Sequence, residues 1–208
     1  MILYHTPGSC SAASLVALAE SGLDYELRIV DANDRAEIAD VNGWGRVPTL
    51  VLESGVILTE TVAILSYVAD RVPGRHLLPP PASVERAQTL SFLALLASTV
   101  HIAFRPVLRP DRLATNLQAQ ADVRSTGVLM LDSVLGRLER EIVGEASVLP
   151  TGFSLCDAYA MVFAQWSRRP QIRNLIQATP RLHAVGRAVQ ARPAVAAALG
   201  AMPDYGDR

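Results

Sequence analysis

Thr6-Pro7-Gly8-Ser9-Cys10-Ser11 is the stretch from which the fold of the chain can be read. It follows a short apolar run, Ile2-Leu3-Tyr4, and precedes an apolar-rich segment, residues 12–22, made of strong helix formers with no internal glycine or proline. A strand therefore hands over to a helix at Cys10. The first N–H groups of a helix have no intrahelical partner and carry the positive end of its dipole, which favours a thiolate over a thiol. In such a place a cysteine pKa of about 8.5 falls to roughly 3.5–7.5. On the residue alone, a small buried hydrophobe is an equal alternative.

Outward from that stretch, short apolar runs recur at residues 25–30, 49–52 and 56–58, with a polar stretch at 31–45. Glu53-Ser54-Gly55 separates the last two runs and reads as a tight hairpin. Ile64, Leu65, Val68 and Val72 then fall at helical spacing, which predicts a helix over residues 60–71. The order is β-α-β, an irregular or helical piece, then β-β-α. It builds a mixed four-stranded sheet with helices packed on it.

A proline-rich run between Pro73 and Ser83 can neither continue a helix nor pair in a central strand. It divides the chain into a first domain at residues 1–75, a linker at 76–83 and an all-helical part at 84–208. There, one helix runs from about Val84 past His101 and ends or bends near Pro106. Val128, Leu131, Leu135, Leu138 and Ile142 place an apolar stripe on a second, ending near Gly144. A third starts at Ser154-Leu155-Cys156-Asp157, which fits a capping box with Phe153 as its hydrophobic staple. Cys156, inside that turn among apolar neighbours, is expected to be an inert packing residue.

Composition narrows the function classes. Half of the 208 residues are hydrophobic, 19% are charged and the net charge is -1, so nothing points to nucleic acid. No signal-peptide pattern is present, and no uninterrupted apolar run approaches the roughly 20 residues that span a bilayer. Two cysteines far apart in sequence form neither a disulfide framework nor a four-ligand metal site. The expectation is a cytoplasmic protein without metal or membrane partner.

Three further features join Cys10. Val47-Pro48 leads directly into the run at 49–52, and a proline there is a candidate cis bond, costing about 0.5–1 kcal/mol. Thr59-Glu60-Thr61 heads a helix, where N–H groups and a hydroxyl suit a carboxylate and Glu60 suits an ammonium. Arg35 is a cation in the polar stretch.

Together these residues resemble the glutathione S-transferases, and the start from Tyr4 to Ser11 is similar to the bacterial beta class. The resemblance continues through Arg46-Val47-Pro48, Leu58-Thr59-Glu60-Thr61-Val62-Ala63-Ile64, Val100-His101 with Phe104 and Pro106, and Arg109-Pro110-Asp111. It ends with Phe153 to Tyr159 and Gln165-Trp166, so it spans nearly the whole chain. It implies an α+β thioredoxin-like N-terminal domain (β-α-β-α-β-β-α) followed by an all-α C-terminal domain. It also implies that Cys10 faces the sulfur of glutathione, Val47 pairs its backbone with the cysteinyl part, and Pro48 is cis. Glu60 and Thr61 would hold the γ-glutamyl end and Arg35 the glycyl carboxylate, with Ser98 a further glutathione contact. His101 would approach the thiol from the helical part, in a homodimer with a site in each subunit.

Several positions depart from the resemblance. His5 replaces an aromatic ring and would either tune Cys10 or fill space. Gly43-Trp44-Gly45 stands where relatives have Pro-Lys-Gly, and Thr99 and Ile102 stand where relatives have charges. The expected activity is conjugation of glutathione to small apolar electrophiles, or thiol-disulfide exchange through Cys10. The alternatives are a non-catalytic binding module on the same fold and a glutathione-dependent isomerase or dehalogenase.

Overall fold

The computed structural model describes residues 1–34 and 36–200. Strands β1 (Ile2–His5), β2 (Glu26–Ile29), β3 (Thr49–Val51) and β4 (Ile57–Thr59) form one sheet in the order β2-β1-β3-β4. β1 and β2 are parallel, and the other pairs are antiparallel, with Leu3 opposite Leu27 on one side and Leu50 on the other. Helix α1 (Ser11–Ser21) makes the crossover between the parallel strands, because a parallel pair cannot be joined by a tight turn. Gly22, in the left-handed conformation at φ 72°, terminates it. The predicted hairpin closes with the Leu52 N–H on the Val56 carbonyl at 2.8 Å.

Alternation along β1 separates two cores. Leu3 faces α1 and α3 (Thr61–Arg71), whereas Tyr4 packs with Val30 and with Ile38 of α2 (Ala36–Val41) on the other face. The larger core does not stop at the proline-rich segment. Leu77 and Leu78 of that segment are buried in it, and the Leu77 carbonyl accepts the N–H of Leu155 at 3.0 Å. Arg86, almost fully buried, reaches back to Asp70 at 2.8 Å and to the Pro79 carbonyl at 2.9 Å.

The helical part comprises α4 (Val84–Leu95), α5 (His101–Leu108), α6 (Leu117–Glu141), α7 (Leu155–Ser167), α8 (Pro180–Gln190) and α9 (Pro193–Gly200). A π-helical turn, Leu96–Val100, joins α4 to α5 without a break. The helix ends at Leu108, two residues beyond Pro106, as expected. Pro106 lacks the N–H that would bond the carbonyl four residues back, which weakens the helix at its last turn. Its ring lies against α6 at Gly127, where an added Cβ would come within 2.5 Å of the Pro106 Cβ. Val84–Leu108, 25 residues with a mean hydropathy of 1.5 in its most apolar stretch, is long and apolar enough to cross a bilayer by length and composition. In this fold its turns pack on α6 and α7. α6 stops at Glu141, just short of the expected Gly144, and keeps the predicted stripe buried at Leu131, Leu135 and Leu138. α1 packs on α3 on one side and on α7 and α9 on the other, so the helix that begins beside Cys10 is the shared wall of both parts.

Candidate functional site

Cys10 is the residue immediately before α1, half-buried, with its Sγ 3.8 Å from the Val47 carbonyl. The expected unpaired first-turn donors are not available to it. The Ser11 N–H donates to Ser9 Oγ at 3.2 Å, the Ala12 N–H to the Ser9 carbonyl at 3.2 Å and the Ala13 N–H to the Cys10 carbonyl at 3.1 Å. Ser9, next to the thiol, therefore caps the helix itself, and what the turn offers a thiolate is its dipole.

Beneath the loop lies a buried polar cluster. Ser11 Oγ is 2.7 Å from His5 Nδ1 and 2.6 Å from Ser9 Oγ, and it accepts the Thr6 N–H at 3.2 Å. Burial pushes the His5 imidazole down to about 4, against the opposing effect of the Ser11 bond. The ring is thus neutral at pH 7 and bonds the serine after the thiol. Its Nε2 has no hydrogen-bond partner among the described residues.

The second wall comes from the segment before β3. Asn42, buried, donates to the Arg46 carbonyl at 3.2 Å and to Thr49 Oγ1 at 3.1 Å, and its Oδ1 accepts the Trp44 N–H at 3.1 Å. This ties down the Gly43-Trp44-Gly45 turn, leaves Trp44 exposed at the rim with the Arg46 guanidinium over its ring, and presents Val47 to Cys10. The Val47–Pro48 bond is cis. Glu60 follows β4 at φ 67° and ψ 124°, a conformation that a non-glycine residue adopts only where its surroundings impose it. Thr61, the first residue of α3, is buried beside it.

The third wall belongs to α7 and α5. The Tyr159 hydroxyl lies 3.3 Å from His101 Nδ1 and lines the same cleft as Cys10, Glu60 and Thr61. Burial raises its pKa, so the phenol keeps its proton. His101 stands edge-on to Trp166 at 5.0 Å, and burial, helped by the charge of Arg105, lowers its imidazole to about 4. Trp166 and Arg169 both reach the Gly8 carbonyl, with Nε1 at 2.8 Å and Nη2 at 2.7 Å. Gly8 has φ 73°, and a Cβ there would meet Arg169 Nη2 at 3.3 Å.

One cleft of about 1920 Å³ gathers Cys10, Val47, Pro48, Glu60, Thr61 and His101. Ser98 is not brought to it within one chain. It is exposed on the π turn, and its hydroxyl donates to the Ala94 carbonyl at 2.8 Å. Arg35 lies outside the described residues. Tyr159, Trp166 and the Ser9 cap were not singled out as site residues in sequence, although Tyr159, Phe163 and Trp166 recur at intervals of four and three on one face of α7.

The family described as "Glutathione S-transferase, N-terminal domain" matches residues 8–71. Glutathione S-transferase GstA of Escherichia coli O157:H7 is 34% identical over 206 residues, covering 97% of this chain and 98% of the relative. The chain belongs to the glutathione S-transferase family. Glutathione transferase is accordingly its enzyme class. A sphingomonad glutathione S-transferase solved in complex with glutathione is 36% identical with a TM-score of 0.83, covering 97% of this chain and 98% of that one. The bacterial beta class enzyme of Sphingomonas chungbukensis is 33% identical at a TM-score of 0.82, with the same coverage. As a glutathione S-transferase, this chain thus joins a thioredoxin-like part to a helical part.

Proposed function

We propose that this transferase binds glutathione along the wall formed by Cys10, Val47, Pro48, Glu60 and Thr61, and conjugates its sulfur to a small electrophile with an apolar body. The observation that carries the reading is the cleft itself. Cys10 lines it together with a backbone segment fit to pair with a peptide, a helix start fit for a carboxylate, and an acid fit for an ammonium. In this reading the Val47 carbonyl, now 3.8 Å from the Cys10 thiol, accepts the N–H of the cysteinyl unit. Glu60 pairs with the γ-glutamyl ammonium, and the Thr61 N–H and hydroxyl hold its carboxylate. Arg35 takes the glycyl carboxylate, for which a forked guanidinium is suited.

Glutathione so placed brings its sulfur to Cys10 and the start of α1, where the dipole favours the thiolate. His101, neutral at pH 7, acts on the co-substrate side, paired with the Tyr159 phenol, which keeps its proton. Phe104, Val107 and Leu108 line the cleft for the co-substrate's apolar body. Because Cys10 is half-exposed to the cleft, it also suits a second chemistry, a mixed disulfide with glutathione resolved by thiol exchange. The working assembly is a cytoplasmic homodimer, in which Ser98 contacts glutathione at the subunit boundary, and its roles are detoxification and redox exchange.

Mass spectrometry of the purified protein before and after a reductant tests both chemistries. A glutathione adduct on Cys10 that the reductant removes is the expected result, together with retention on a glutathione matrix. A folded protein that neither carries the adduct nor is retained would leave a binding module in place of the enzyme.

A further inference from the structure

The ionised side chains on the helical wall of the cleft are of one sign. Arg105, Arg109, Arg112, Arg124 and Arg169 line it, and among the described residues no Asp or Glu of that wall does. The carboxylates lining the cleft, Asp31 and Glu60, lie on the sheet-bearing side, where the glutathione reading already uses Glu60. Arg105 follows His101 by four residues on α5, one helical turn or about 6 Å further along the axis. Its charge is felt at the His101 ring.

These charges are not all cancelled within the fold. Arg109 is paired in a fork with Asp111, at 3.0 and 2.8 Å. Arg124 donates to the Val107 carbonyl at 3.3 Å and the Gln171 carbonyl at 3.1 Å, which occupy its hydrogens but leave its charge in place. Arg169 is likewise spent on the Gly8 carbonyl. Arg105 is exposed and makes no ion pair among the described residues. Phe104, Trp166 and the His101 ring line the same cleft as Arg105 and the thiol, so it offers apolar surface as well as cations.

We propose that the co-substrate carries a carboxylate, held by Arg105 with Arg124 adding charge to the same wall, while its electrophilic carbon faces the sulfur beside Cys10. The inference rests on the transferase reading and narrows its co-substrate from an apolar electrophile to an anionic one with an apolar middle. A guanidinium fork matches a carboxylate in both geometry and charge, whereas a lysine matches the charge alone and a neutral wall neither. The step is a substitution. The glutathione thiolate gives its pair to form the new C–S bond, the leaving group departs with the pair of the bond it loses, and the thiol proton has gone to solvent.

A matched pair of probes tests it. 4-Chloro-3-nitrobenzoate and its methyl ester share ring, nitro group and chloride leaving group, and differ in charge. Each kcat/KM is divided by the uncatalysed rate with glutathione, and the readout is the ratio of carboxylate to ester. The expected ratio favours the carboxylate by about tenfold, the scale of one charge-assisted fork. It shrinks as salt is raised to about 0.5 M, since partly exposed charges are screened. Arg105→Gln, at an exposed position that should not disturb folding, brings the ratio near one. A wild-type ratio near one, or a ratio that Arg105→Gln does not move, overturns the proposal while ester turnover keeps the transferase reading. A chain that consumes neither probe and is not retained on glutathione loses both.

Discussion

The two cysteines sit in nearly the same local setting and have opposite fates. Each follows closely on a serine at the start of a helix, Cys10 after Ser9 before α1 and Cys156 after Ser154 in α7, and in each case the serine caps the turn. Cys156 is fully buried against the Thr89 carbonyl, and burial pushes its thiol up to about 12. Cys10 opens on the cleft and faces the Val47 carbonyl. A helix start therefore does not by itself make a thiol reactive. Access decides, together with what the opposite wall supplies.

The comparison breaks first at the thiols themselves. Cys10→Ala should abolish the glutathione adduct and thiol-exchange turnover, whereas Cys156→Ala should keep both and cost about 1 kcal/mol of stability, as a small core truncation does. Activity surviving in Cys10→Ala, or lost in Cys156→Ala, would reverse the contrast.

Acid sharpens it next. His5 and His101, both on the Cys10 side, have imidazoles depressed from 6.5 to about 4, so the folded state resists their protonation. Their contribution is fully present above pH 6.5 and is lost as pH falls toward 4. Between pH 7 and pH 5 that is about 2 kcal/mol for each histidine. Asp157, at the Cys156 turn, is raised by burial and carries the opposite sign, its cost appearing as pH rises. Urea midpoints at the two pH values should fall accordingly, and His101→Gln should remove about half of the fall.

The capping carboxylate comes third. Asp157 accepts the Ser154 N–H at 2.6 Å and the Val148 N–H, so Asp157→Ala leaves two buried donors unmatched and should cost about 3 kcal/mol in denaturant titration. The smallest effect belongs to Trp166→Phe. It keeps the ring against His101 but removes the N–H on Gly8, and should cost about 1 kcal/mol while lowering kcat/KM a few-fold. An unchanged kcat/KM would show that the Gly8 carbonyl needs only Arg169.

The elements around Cys10 were legible because their warrants are local. The helix between Cys10 and Gly22, the turn at Glu53-Ser54-Gly55 and the capping box at Ser154 each rest on a few neighbouring residues, and each is present. What was not legible depends on partners far along the chain. The indole and guanidinium on Gly8 act across more than 150 residues, and Tyr159 meets His101 across 58, distances over which no spacing rule operates. The expectation of open donors at Cys10 failed for a subtler reason. Ser9 stands just before the helix, and its hydroxyl and carbonyl already serve it.

The double contact on the Gly8 carbonyl bears on modularity. A chimera that joined residues 1–83 of this chain to the helical part of a relative would keep every residue of the proposed glutathione wall, and would still need an aromatic N–H and a cation at the end of the α7 equivalent. Without them the Pro7-Gly8-Ser9 turn loses the two tethers that reach it from the helices. The two halves are thus exchangeable only as matched sets, and the register of Cys10 is inherited from both.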